Sequence, residues 1–81
     1  MADEQVTERI EALVKEEHEL LDRGGSDHGL DAAGHARLED IRVELDRTWD
    51  LLRQRRARRR AGADPDGASP RDADTVEHYL Q

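Results

Sequence analysis

LEDIRVELDRTWDLLRQRRARRRAGADP, residues 38–65, is the stretch that decides the architecture. Leu38, Ile41, Leu45, Thr48, Leu52, Arg55 and Arg59 recur at alternating spacings of three and four. That rhythm belongs to a helix packed along a single seam. Trp49 stands beside the row, where its apolar bulk reads as core, and Val43 and Leu51 lie off it as a second apolar patch. Without a break the helix turns cationic: residues 53–60 hold Arg53, Arg55, Arg56, Arg58, Arg59 and Arg60 and no carboxylate. Gly62 suits the left-handed position that closes a helix, and Pro65 prevents the helix from resuming.

Upstream, Asp31 reads as the N-cap of this helix, with Leu30 as the apolar residue before it. The helix is expected over about 32–61, with a weak first turn because Gly34 costs about 1 kcal/mol relative to alanine. A first helix is expected over about 3–23, on an apolar stripe of Val6, Ile10, Leu13 and Leu20 flanked by Val14 and Leu21. Asp3 reads as its N-cap, Glu11–Lys15 and Glu19–Arg23 as supporting pairs, and Gly24-Gly25 as its end. Residues 24–30 are short enough to make the helices antiparallel neighbours. Matching the stripes pairs Leu20 with Leu38, Leu13 with Leu45, Ile10 with Thr48 and Val6 with Leu52, which brings Asp3 and Glu4 level with Arg55 and Arg56.

The expected fold is therefore all-α: an antiparallel, coiled-coil-like helical hairpin over 1–61, an irregular linker over 62–75, and a short docking segment over 76–81. Within that last segment Val76, Tyr79 and Leu80 share one face of a helical turn. Two helices alone bury little apolar surface, so a homodimer closing into a four-helix bundle is expected.

Composition narrows the functional classes. The chain has 81 residues, 41% of them charged, a net charge of −7, and only Trp49 and Tyr79 as aromatics. With no cysteine, disulfides, thiolate metal sites and cysteine nucleophiles are excluded. No apolar run can span a bilayer, and the acidic N-terminus lacks an oily signal core, so a cytoplasmic protein without membrane contact is expected. No serine–histidine–acid set, phosphate loop or paired-carboxylate site can be assembled, so neither an enzyme nor a cofactor is expected. His18, His28, His35 and Glu17 fall near one end of the hairpin. The Glu-x-x-His spacing of carboxylate-bridged bundles is absent, so no metal site is assigned. Glu17 lies near the centre of the first stripe, with Arg42 of the facing helix as its natural partner.

The arginine run admits three readings: neutralisation inside the protein, docking to an acidic protein, or contact with nucleic-acid phosphates. Arg53, Arg55, Arg56, Arg58, Arg59 and Arg60, with Val76, Tyr79 and Leu80, are the candidate partner-binding residues. An acidic protein ranks before RNA or DNA, because the whole chain is acidic and no aromatics interleave with the arginines.

Several strings carry a family resemblance: Glu16-Glu17-His18-Glu19-Leu20, His35-Ala36-Arg37-Leu38, Leu45-Asp46, Trp49-Asp50-Leu51-Leu52-Arg53-Gln54-Arg55-Arg56-Ala57, Gly62-Ala63-Asp64-Pro65-Asp66 and Tyr79-Leu80-Gln81. Together they resemble a family of short actinobacterial proteins known as a domain of unknown function. Members more often have Pro-Glu-Glu where this chain has Ala32-Ala33-Gly34. The resemblance implies no activity or site residues, but it implies that the arginine run and the terminal residues belong to one unit.

Overall fold

The computed structural model describes residues 2–24 and 29–80, the last three of these by their backbone. Helix α1 spans Asp3–Gly24, α2 spans Ala32–Arg60 and α3 spans Ala73–Leu80, with a 3-10 turn at Pro65–Gly67 before α3. Among the described residues there is no strand. Gly25 and His28, assigned above to the helix end and the histidine group, lie outside them.

Each helix end follows from local chemistry. At the start of α1 the Ala2 carbonyl accepts from the Gln5 and Val6 N–H groups, and the Gln5 side chain accepts from the Ala2 N–H at 2.8 Å. The glutamine thus supplies the returning half of a capping box. Asp3 is the first helical residue and not the cap, which leaves its carboxylate available to α2. At α2 the Asp31 Oδ1 accepts from the Gly34 N–H at 2.7 Å, the expected cap. Its far end closes on Gly62 at φ 76°, with the Gly62 N–H on the Arg59 carbonyl and the Ala63 N–H on the Arg58 carbonyl. Two of the carbonyls that the last turn leaves open are thereby satisfied.

The two long helices pack antiparallel through two apolar clusters. Leu13, Leu20, Leu38 and Ile41 form one, with Leu21 and Leu30 against it, and Val6, Ile10, Leu51 and Leu52 form the other, with Val14 against it. Leu45 touches both clusters and makes the seam continuous. Leu51 therefore belongs to the core and not to a separate patch.

Trp49 corrects the reading above: it is 44% exposed. The seam position next to it is Thr48, which is 8% exposed and donates its hydroxyl to the Glu44 carbonyl at 2.7 Å. One residue further on, Trp49 is turned about 100° out of the seam.

Residues 62–72 do not hang loose. They run back along α2 as a strap, and α3 follows them with Asp72 accepting from the Thr75 N–H at 2.7 Å. Val76 is fully buried, so α3 docks on α2. The molecule measures 47 × 25 × 15 Å: α1, α2 and α3 form a single layer of helices with α2 in the middle, and Ala68 of the strap packs against the Val6, Ile10, Leu51 and Leu52 cluster. No helix among the described residues is long and apolar enough to cross a membrane.

Candidate functional site

Helical periodicity splits the arginine run into two sets. Arg55 faces the hairpin, 4% exposed, with Nε on Asp3 Oδ1 at 2.7 Å and NH1 on Asp66 Oδ1 at 2.8 Å. It ties the start of α1, the end of α2 and the strap to one guanidinium. Arg59 adds a 2.9 Å contact to the other Asp3 oxygen. Held first by Arg59 and then by Arg55, the Asp3 carboxyl drops from 3.8 to about 2, and Arg55 also holds Asp66 below its ordinary value.

The strap side of α2 carries a ladder that the sequence did not announce. Asp50, 2% exposed, meets Arg71 at 3.4 Å and accepts from Gln54 Nε2 at 2.8 Å. Gln54 also donates to the Ser69 carbonyl at 2.9 Å, and Arg58 Nε donates to the Asp64 carbonyl at 2.6 Å. Residues 50, 54, 55 and 58 thus engage 71, 69, 66 and 64 in turn, an antiparallel zipper of side chain on strap. Arg58 crosses so close over the strap that a Cβ at position 67 would push its guanidinium aside. Arg47 joins the ladder through the Arg71 carbonyl at 2.8 Å.

Arg53, Arg56 and Arg60 remain. All three are exposed and make no ion pair or hydrogen bond among the described residues. Trp49, Arg53, Arg56 and Arg60 follow at spacings of four, three and four, so they form one row along the outer flank of α2. The aromatic missing from the arginine run in sequence is therefore supplied in space. Of the other expected partner residues, Val76 is consumed in docking α3 and the side chains of Tyr79 and Leu80 lie outside the described residues.

The two broad faces of the hairpin differ. On one, Arg37 grips Glu16 through two 2.6 Å hydrogen bonds and Arg9 lies 3.9 Å from Glu44. Pro70 closes over Val6, Thr48 and Leu51 there, around a groove of about 200 Å³. On the opposite face, Glu17 meets Arg42 at 3.5 Å, the pairing expected from the stripes. Half-buried Val14, Leu21 and Leu45 lie on that side with Trp49.

Where α3 meets α2, Glu77 is raised above its ordinary value, chiefly by its hydrogen bond with Asp46 and then by burial. His18 and His35 are exposed on separate helices. Among the described residues no group of three histidine or acidic side chains is arranged to hold a metal ion.

A helical hairpin strapped by its own C-terminal segment is the class that this geometry defines. The chain belongs to the family described as "Protein of unknown function (DUF2630)", whose model matches residues 2–81. It is 44% identical over 79 residues to an uncharacterised protein of Mycobacterium bovis, covering 95% of this chain and 88% of the relative. Uncharacterised proteins from two strains of Mycobacterium tuberculosis match it to the same extent. No solved structure matches the chain.

Proposed function

We propose that this is a small, cytoplasmic, self-associating protein-interaction module that binds acidic polypeptide surfaces through Trp49, Arg53, Arg56 and Arg60. The observation that carries this reading is the partition of the arginine run. The fold neutralises Arg55 and Arg59 on Asp3 and spends Arg58 on the strap, yet leaves three guanidinium groups in a row behind an exposed indole. Tryptophan and arginine dominate the energetics of protein interfaces because they bring large area and directed hydrogen bonds together. The reading is one of binding: the buried polar groups Asp50, Arg55 and Thr48 are engaged in intramolecular hydrogen bonds, and the row on the outer flank is what the fold leaves exposed.

Nucleic acid is the second reading, favoured by one feature: an exposed aromatic in line with cations is how single strands are held. Against it stands the net charge of −7, which repels a polyanion at long range.

Titration of the Trp49 emission with polyglutamate and, separately, with a single-stranded oligouridylate tests the two. Saturable binding of polyglutamate, lost when Arg53, Arg56 and Arg60 are changed to Gln, supports the proposal. Preferential binding of the oligouridylate, weakening steeply with salt, replaces it with the nucleic-acid reading. If neither probe binds, the row has no polyanionic partner and the proposal fails.

A further inference from the structure

We infer that the partner of the Trp49 face is a second copy of this chain, packed across a two-fold axis parallel to the helices. This rests on the self-association proposed above and specifies its surface.

In a single layer of helices, 15 Å in its thin dimension, the α1–α2 seam is covered on one side by Ala68 and Pro70 of the strap and on the other by the side chains of its own two helices alone. Stable domains have two packed layers, so one broad face calls for cover. The face with the Glu16–Arg37 pair is already crossed by the strap at Pro70 and lined by paired charges. Its opposite carries Val14 and Leu21 at a heptad interval on α1, and Arg42, Trp49 and Arg56 at heptad intervals on α2. An exposed indole flanked by aliphatic side chains is the centre of an interface, and guanidinium groups at either end are its rim. A face within 47 × 25 Å has room for the ~800 Å² that each partner gives a standard interface.

Charge identifies the acidic polypeptide surface that this row meets as α1 of a second copy. At the open end of the hairpin the α1 edge carries Glu4 and Glu8, and the α2 edge carries Arg53 and Arg56. All four are exposed and without an ion pair among the described residues. A two-fold axis along the helices lays α2 of each copy over α1 of the other at the same level. Arg53 then meets Glu4 of the second copy, and every neighbouring pair of helices in the resulting bundle is antiparallel, which also suits their dipoles. An axis perpendicular to the helices would instead stack α2 on α2 and leave the two acidic edges facing each other.

The test uses charge swaps and the single tryptophan. Wild type should sediment as a dimer at micromolar concentration, and its emission should shift to the red on dilution as Trp49 meets water. Arg53→Glu makes both edges acidic and Glu4→Arg makes both basic, so each variant should self-associate roughly tenfold more weakly. An equimolar mixture of the two should recover the wild-type affinity as a heterodimer. Far-UV circular dichroism checks that both exposed substitutions leave the helices intact. A dimer whose emission ignores dilution and whose single variants stay dimeric overturns this face while leaving self-association standing. A folded monomer that still binds polyglutamate overturns the inference but not the acidic-partner reading, and a folded monomer that binds nothing overturns both.

Discussion

Arg55 and Arg56 are neighbours in the chain, yet one is buried between Asp3 and Asp66 and the other stands exposed, without a partner among the described residues. The same contrast runs the length of the box. Asp50, Gln54, Arg55 and Arg58 face the strap or the hairpin, and Trp49, Arg53, Arg56 and Arg60 face outward. A run that looks uniform in composition is thus two devices wound on one helix, separated by 100° per residue. One fastens the C-terminal third to the hairpin; the other offers a surface.

The sharpest way to break this division is Arg55→Met. Methionine keeps much of the stem's volume but leaves Asp3 with Arg59 alone and removes the 2.8 Å contact to Asp66. Arg55 is the buried hub of this cluster, and its loss removes the hydrogen bonds that join α1, α2 and the strap, while Asp3 and Asp66 remain in contact with solvent. We expect the largest loss of thermal stability within residues 53–60, about 10 °C for a chain of this size. Limited proteolysis should then cut the strap before either long helix. A variant that melts like wild type would show the strap to be held without Arg55.

Asp50→Ala should cost less, about 1–2 kcal/mol by urea denaturation, because Gln54 keeps its bond to Ser69 and Arg71 can turn to water. Its signature is local: amide exchange should rise in the strap and α3 and stay unchanged in α1.

Acid titration tests the same cluster with smaller steps. Asp3 and Asp66 both lie below their ordinary values when folded, Asp3 at about 2. Above the ordinary value both folded and unfolded chains are ionised and the contribution is complete. Below it the unfolded chain takes up protons first, so stability falls as pH drops from about 4 towards 2. The slope of melting temperature against pH in that window should flatten in Arg55→Met, since one of the two guanidinium groups on Asp3 is gone. An unchanged slope would place the acid sensitivity elsewhere, with Glu16, lowered by Arg37, the first alternative.

How much of this could be read in advance follows from which forces are periodic. The two helices, their caps at Asp31 and Gly62, and the pairing of Glu17 with Arg42 all express a repeat or a local rule, and the chain displays them openly. The heptad even outranked residue type: it placed Thr48 and Arg55 on the seam, where they are 8% and 4% exposed, and the indole that hydrophobicity would put there is outside. The strap follows no such rule. Residues 62–72 are mostly Gly, Ala, Asp, Pro and Ser, and their order comes from Gln54 and Arg58 reaching main-chain carbonyls of Ser69 and Asp64. A bond from a side chain to a distant backbone leaves no pattern in either segment. The one legible sign was Asp72 three residues before Thr75, a helix cap that advances α3 to Ala73. The outward row was hidden differently, since its members are obvious but their isolation depends on where the carboxylates fall.

The smallest expected effect is also the one that most directly separates the two halves. Changing Arg53, Arg56 and Arg60 together to Gln should leave the stability of the isolated chain within about 0.5 kcal/mol of wild type, because no carboxylate of the same chain among the described residues loses a partner. Two minor forces act and oppose each other. Cations in the last turns of α2 are favoured by the negative end of the helix, by about 0.3–1 kcal/mol each, so their loss destabilises. Three like charges spaced three and four apart repel by similar amounts, so their loss stabilises. The same three changes should abolish binding to an acidic polypeptide, whereas Arg55→Met, damaging as it is to the fold, should leave that binding intact at temperatures below its melting. If the triple variant melts as early as Arg55→Met, the outward arginines are holding the protein together after all, and the two sides of the box are one device.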